Sequence, residues 1–219
     1  MSSSMFDQLI GLSAGVLLLT SVLLVWKRSL IAAVRLLALQ GAALAAMVAV
    51  IGVFESDLEL LAVAGLVLLL KGFVLPFVLD RSRVRTGAVR EETPLMNTTS
   101  SLLVLSLLTM LAYLVSQPWL ALDPGPTTAA VPVGISLVLY GFLILTTRRH
   151  AISQLVGFLV LDNGIATVAF LTSGGVPFVV ELGASLDVLL VVLILRVLGG
   201  RITDEFGGAD LDELTELRD

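Results

Sequence analysis

The sequence predicts an all-α, polytopic membrane helix bundle of seven transmembrane helices. Three observations predict it: an excess of apolar residues, seven apolar runs of spanning length, and basic residues that gather at alternate connections. The chain of 219 residues is 57% hydrophobic and only 14% charged, with a mean hydropathy of +1.03. Soluble domains carry about 45–50% apolar and about 25% charged residues. A small globule has too much surface for its volume to hide the difference. An ordinary soluble enzyme is excluded, and so is a disordered chain, which needs low hydrophobicity and high charge. There is no Cys and only one His, His150. The chain therefore offers no disulfide, no iron–sulfur or nickel–thiolate ligands and no Cys/His zinc site. A net charge of −5 argues against nucleic acid as a partner.

A bilayer core of about 30 Å needs about 20 apolar residues in a helix. The runs are 6–26, 29–54, 58–79, 99–117, 130–147, 151–172 and 179–198. The first has no basic segment before it and is followed by Lys27-Arg28, so it reads as a retained span, not a cleavable signal. Gly11 and Gly15 give it a small-xxx-small face suited to close packing. Lys27, Arg28 and Arg35 mark the first turn-around. Glu55, Asp57 and Glu59 fall at the second connection, and Arg81, Arg83, Arg85 and Arg90 at the third. Residues 118–128, with Pro118, Pro124, Gly125 and Pro126, read as a turn-rich fourth connection holding Asp123. Arg148 and Arg149 occupy the fifth, and Arg196, Arg201 and Arg218 lie at or past the last span. Lys71 alone breaks the alternation. By the positive-inside bias the chain is N-out and C-in, in the cell's inner (cytoplasmic) membrane. Three regions follow: a four-helix region 1–128, a three-helix region 129–202, and an acidic cytoplasmic tail 203–219.

An ionisable group at the centre of a span costs about 2.5–3.5 kcal/mol on insertion scales, so its depth is informative. Lys71, Asp162 and Asp187 each lie near mid-span, and Glu181 stands six residues outward of Asp187. Gln40, Ser106, Thr109, Tyr140 and Asn163 fall near the same depth. The pattern predicts a hydrophilic seam at the midplane. Two carboxylates in a low-dielectric site share protons, and groups that gain and lose a proton near neutral pH make a relay. Lys71, Asp162, Glu181 and Asp187 are the relay candidates, with Gln40, Tyr140 and Asn163 as supporting hydrogen-bonders. Pro76, five residues past Lys71, loosens that helix. A purely structural lock between Lys71 and one Asp is the alternative, an ion or substrate site a third. Spans 1–3 and 5–7 run in the same direction. Each triplet turns at a basic pair, returns through a central polar residue (Gln40, or Asp162-Asn163) and ends on a central charge, Lys71 or Asp187. This is the pattern of a parallel duplication.

From Tyr140 to Arg201 the sequence resembles the NuoK-type three-helix small subunit of respiratory complex I and its relative in multisubunit cation/proton antiporters. The residues that carry the resemblance are Leu155-Val156-Gly157, Leu161-Asp162-Asn163-Gly164-Ile165, Gly174-Gly175-Val176-Pro177, Val180-Glu181-Leu182-Gly183 and Leu186-Asp187-Val188-Leu189. Over nearly its full length, with Lys71-Gly72 and Pro76, the chain resembles component E of hydrogenase-4 and of similar group 4 membrane-bound [NiFe]-hydrogenase complexes. In the complex I subunit the second and third helices each carry an acid. Asp187 matches the third-helix acid. Leu159 stands where the second-helix acid would be, and Asp162 follows three residues later on nearly the same face. Asp is shorter than the family's Glu, so a bridging water is expected beside it.

The resemblance implies a non-catalytic membrane subunit of a redox-driven complex that moves protons or sodium, itself without cofactor or metal. Its implied partners are antiporter-like subunits and the membrane subunit beside the hydrogenase module. A subunit of a cation/proton antiporter without a redox arm, and a passive assembly scaffold, are the competing readings.

Overall fold

The computed structural model describes residues 3–27, 29–86, 96–122, 124–149 and 151–173, and the regular structure among them is helical. The helices are α1 (Ser3–Trp26), α2 (Leu30–Glu55), α3 (Leu58–Val67), a π-helical segment (Leu68–Val74), α4 (Leu75–Thr86), α5 (Thr98–Leu122), α6 (Pro126–Thr147) and α7 (Ala151–Ser173). The α3–π–α4 run is continuous, so these elements make six helices long and apolar enough to cross a membrane. They correspond to the first six predicted spans. The seventh, 179–198, lies outside the described residues, as do Glu181, Asp187, His150 and the acidic tail.

Local chemistry sets the helix ends. Ser29 caps α2, its hydroxyl accepting from the Ala32 N–H. Asp57 caps α3 by accepting from the N–H groups of Glu59 and Leu60 at 2.8 and 3.3 Å. Between α2 and α3 the turn is only Ser56-Asp57, and so tight a reversal puts Ser56 in the left-handed region at φ 57°. Asn97 caps α5 through the Ser100 N–H at 2.7 Å. The predicted long loop 118–128 is corrected: α5 runs through Pro118 to Leu122, and α6 begins at Pro126. Pro118 sits one turn from the end of α5, so it removes a single hydrogen bond, to the Leu114 carbonyl. Pro126 opens α6 where no N–H is needed.

The helices run alternately up and down, and the core splits into two apolar layers. One holds Leu17, Leu44, Met47, Val63, Val67, Val131, Leu137 and Phe170. The other holds Leu24, Leu37, Leu75, Leu79, Tyr140, Ile144, Val156 and Val160. Each of α1, α2, the α3–π–α4 run, α6 and α7 contributes to both layers, and four of them carry a buried polar residue between the two: Ser21, Gln40, Lys71 and Asn163. The alternation sets the turn at Lys27, the end of α4 and the turn at Arg148-Arg149 at one end of the bundle. Glu55, Asp57 and Glu59 lie at the other.

The tightest helix pair is α6 with α7. A Cβ on Gly141 would lie 2.6 Å from the Leu161 nitrogen, and one on Gly164 would lie 2.6 Å from the Val138 nitrogen. Gly134 and Gly141 on α6, and Gly157 and Gly164 on α7, repeat at seven residues, the spacing that keeps one seam facing a neighbour. Among the described residues nothing packs on the face expected at Gly11 and Gly15: a Cβ on either would meet no atom within 4 Å. Both glycines face outward from α1.

Candidate functional site

Four of the polar residues expected at the midplane, Gln40, Lys71, Asp162 and Asn163, come together where the two apolar layers meet, while Tyr140 pairs separately with Thr109. Lys71 Nζ lies 2.8 Å from Asp162 Oδ2, with the side chains 3% and 15% exposed. The contact is an ion pair whose angles depart from those of a hydrogen bond. Asp162 is the central residue of α7, and it reaches Lys71 directly, so the water expected between Asp162 and its partner is not needed for this pair. Asn163, next along the chain, donates from Nδ2 to Gln40 Oε1 at 3.0 Å. Gln40 Nε2 donates to Ser21 Oγ at 2.6 Å, and Ser21 donates to the Leu17 carbonyl at 2.8 Å. A continuous side-chain chain therefore crosses α1, α2 and α7 with Gln40, Ser21 and Asn163 all buried. Lys71 and Asn163 line one cavity of about 10 Å³ with Leu37, Pro76 and Leu159. That volume is the lower limit for a single water.

The α3–π–α4 run shows why Lys71 points inward. Its buried face is led by a row of Val63, Val67, Lys71, Leu75 and Leu79, each four residues after the last, with Leu60, Ala64, Gly72 and Pro76 buried beside it. In an ideal α-helix four residues turn 400°, so a spacing of four drifts by about 40° per step and about 160° over this stretch. The π turn holds more residues per turn and takes back that drift, keeping Lys71 on the inner face. Pro76 supports it: the Leu75 N–H bonds to the Leu70 carbonyl, five residues back, and Pro76 has no N–H. The widened turn presses on α2 at Gly41, where a Cβ would lie 2.4 Å from the Lys71 carbonyl oxygen and 2.8 Å from the Gly72 nitrogen. Only a glycine fits at position 41. The loosening expected from Pro76 thus takes the form of a π segment centred on Lys71.

Tyr140 is buried on α6 and its hydroxyl makes a short hydrogen bond with Thr109 of α5. Ser106 is corrected: it is exposed, and its hydroxyl turns back on the Leu102 carbonyl of its own helix. Gln40 and Asn163, which hold matching places in the two predicted triplets, hydrogen-bond to each other. Sequence reasoning missed Ser21, because a short hydroxyl that bonds to its own helix carries little signal. Its match in depth to Gln40 was the available clue. Among the described residues no three His, Asp or Glu side chains gather into a metal-binding group.

At 52% identity over the full length of both chains, the sequence is similar to the uncharacterised protein Rv0085 of Mycobacterium tuberculosis. It is also 23% identical over 205 residues to hydrogenase-4 component E of Escherichia coli, covering 94% of this chain and 95% of that one. The same figures hold for hydrogenase-4 component E of Shigella flexneri. No family model matches the chain. No solved structure matches it either.

Proposed function

The chain belongs to the same family as the Mycobacterium tuberculosis protein Rv0085, and we propose that it is a membrane subunit of a complex I-like, redox-driven complex of the group 4 hydrogenase type. It links the redox arm to antiporter-like subunits through a midplane relay that moves protons or sodium. The distant similarity to hydrogenase-4 component E supports the kind of complex. The single observation that carries the relay is the pairing of buried Lys71 with the partly buried Asp162, set between two apolar layers in six membrane-length helices. Intramembrane ionisable residues are rare, face the bundle interior and mark ion and proton paths. Asp162 and Lys71 would carry the charge step on this side of the chain, with Glu181 and Asp187 in a seventh span continuing it. Gln40, Asn163 and Tyr140 would hold the polar layer open. In this reading the chain is N-out and C-in in the inner membrane. Its last three spans form the NuoK-like region 129–202, preceded by the four-helix region 1–128 and followed by the tail 203–219.

Purification of the tagged chain from its own membranes in mild detergent tests the assignment. Antiporter-like subunits together with a hydrogenase-type membrane subunit are the expected companions. Antiporter subunits alone would favour the cation/proton antiporter. In the intact complex, Asp162→Asn and Asp187→Asn should each abolish ion movement while electron transfer and assembly persist. Full ion movement in both variants would leave only the scaffold.

A further inference from the structure

A second polar site lies about one helix half-length from the Lys71–Asp162 pair, where α1 passes to α2 and α6 passes to α7. Arg148 is buried there. Its Nη2 donates to the Val25 carbonyl of α1 at 2.8 Å, tying the two turns together. Its own carbonyl accepts from Gln154 Nε2 at 3.1 Å. Between the turns is a cavity of about 20 Å³ walled by Lys27, Ser29, Arg148 and Ser153, with Leu24, Ile144 and Val156 behind them. No acidic residue is among the described residues that line it. Lys27 is exposed, so the cavity reaches the surface at the level where the helices leave the apolar slab.

Ser153 gives the cavity its meaning. The residue is 5% exposed, and its hydroxyl is buried with no hydrogen-bond partner. A serine in a helix ordinarily satisfies its hydroxyl on the carbonyl four residues back, as Ser13, Ser21, Ser116 and Ser136 do here. Ser153 stands in the first turn of α7, where the residue four back is already outside the helix. A buried hydroxyl with no partner is destabilising, because it has lost water and gained nothing in return. Here it opens on a site with two cations in the wall and the positive end of the α7 dipole above it.

We propose that this cavity binds one oxygen of a phosphate group, and that the phosphate is that of an anionic phospholipid. Ser153 donates its hydroxyl to the oxygen, and Arg148 and Lys27 balance the charge. The volume admits about one oxygen-sized atom, so the remainder of the headgroup stays at the mouth beside Lys27. A lipid held there clamps the α1–α2 turn to the α6–α7 turn. The inference does not depend on the transport reading above.

Trp26 provides the reporter, because the Lys27 Nζ lies 5.0 Å from its ring centre. The chain has two tryptophans, so Trp119→Phe leaves Trp26 as the sole tryptophan, excited at the red edge where the two tyrosines do not absorb. That protein is reconstituted in phosphatidylcholine vesicles carrying a small fraction of brominated phosphatidylglycerol, or of brominated phosphatidylcholine as the control. Trp26 should be quenched at a lower mole fraction by the anionic phosphatidylglycerol. Ser153→Ala should raise the half-quenching fraction about tenfold, the effect of one hydrogen bond to a charged group. Since Ser153 makes no internal hydrogen bond, this variant keeps the fold. Arg148→Gln should raise the fraction further. Reversal of quenching by inorganic phosphate in the buffer would support the phosphate chemistry and assign the site to the free ion. Equal quenching by the two brominated lipids, or a Ser153→Ala protein that responds like its parent, would overturn the proposal.

Discussion

Gly41→Ala is the sharpest test of the architecture around Lys71. The added Cβ would lie 2.4 Å from the Lys71 oxygen and 2.5 Å from its carbon, whereas ordinary van der Waals contact begins at 3.4 Å. The π segment and α2 must therefore separate by about 1 Å (3.4 − 2.4), and both opposing atoms are backbone, so no rotamer change can absorb it. Overpacking of this kind costs about 1–3 kcal/mol. Ala also gains about 0.5–1 kcal/mol over Gly in a helix interior. Gly11→Ala collects the same gain with no atom within 4 Å of the new methyl. The propensity gain cancels between the two variants, so Gly41→Ala should be less stable than Gly11→Ala by about 1–3 kcal/mol. Reversible unfolding of both purified proteins in mixed detergent micelles, followed by circular dichroism, measures the difference. Equal stability would refute the contact between the π segment and α2, and with it the stated reason that Lys71 faces inward.

Asp162→Asn should cost about 3–5 kcal/mol in the same assay, because it leaves a buried cation with its counter-charge removed. The volume-matched pair Lys71→Met with Asp162→Leu should recover most of that loss, and a double variant no more stable than the single would contradict the ion pair. Gln40→Leu strands Asn163 Nδ2 and takes away the donor to Ser21 Oγ, which keeps its own bond to the Leu17 carbonyl, so it should cost about 1–3 kcal/mol. Arg148→Ala removes a charged donor from the Val25 carbonyl and should cost about 1.5–3 kcal/mol, read as a lower unfolding midpoint. With no native Cys, Arg90→Cys and Asp123→Cys report sidedness directly. A membrane-impermeant maleimide added outside whole cells should label position 123 and not position 90, and the reverse pattern would invert the orientation.

The sequence by itself determined the class of molecule and the path of its first six passes. Free energy of transfer from water scales with apolar area, so runs such as 30–55 and 126–147 reveal a membrane helix in one dimension, before any contact forms. The same one-dimensional logic placed Gln40, Lys71, Asp162 and Asn163 at one depth, since depth in a slab follows from position along a helix of fixed rise.

What only the tertiary structure decided is direction around the helix axis. With nearly every residue apolar, no face stands out from its neighbours, so sequence could not tell that Gly11 and Gly15 look outward while Gly141 and Gly164 meet backbone. Nor could it tell that Ser106 turns back on its own helix. The π turn at Leu68–Val74 depends on Gly41 from another helix to receive it, and Ser21 joins the polar chain only because Gln40 reaches across from α2. Such partners are fixed by packing between segments distant along the chain, and no local pattern of residues encodes them.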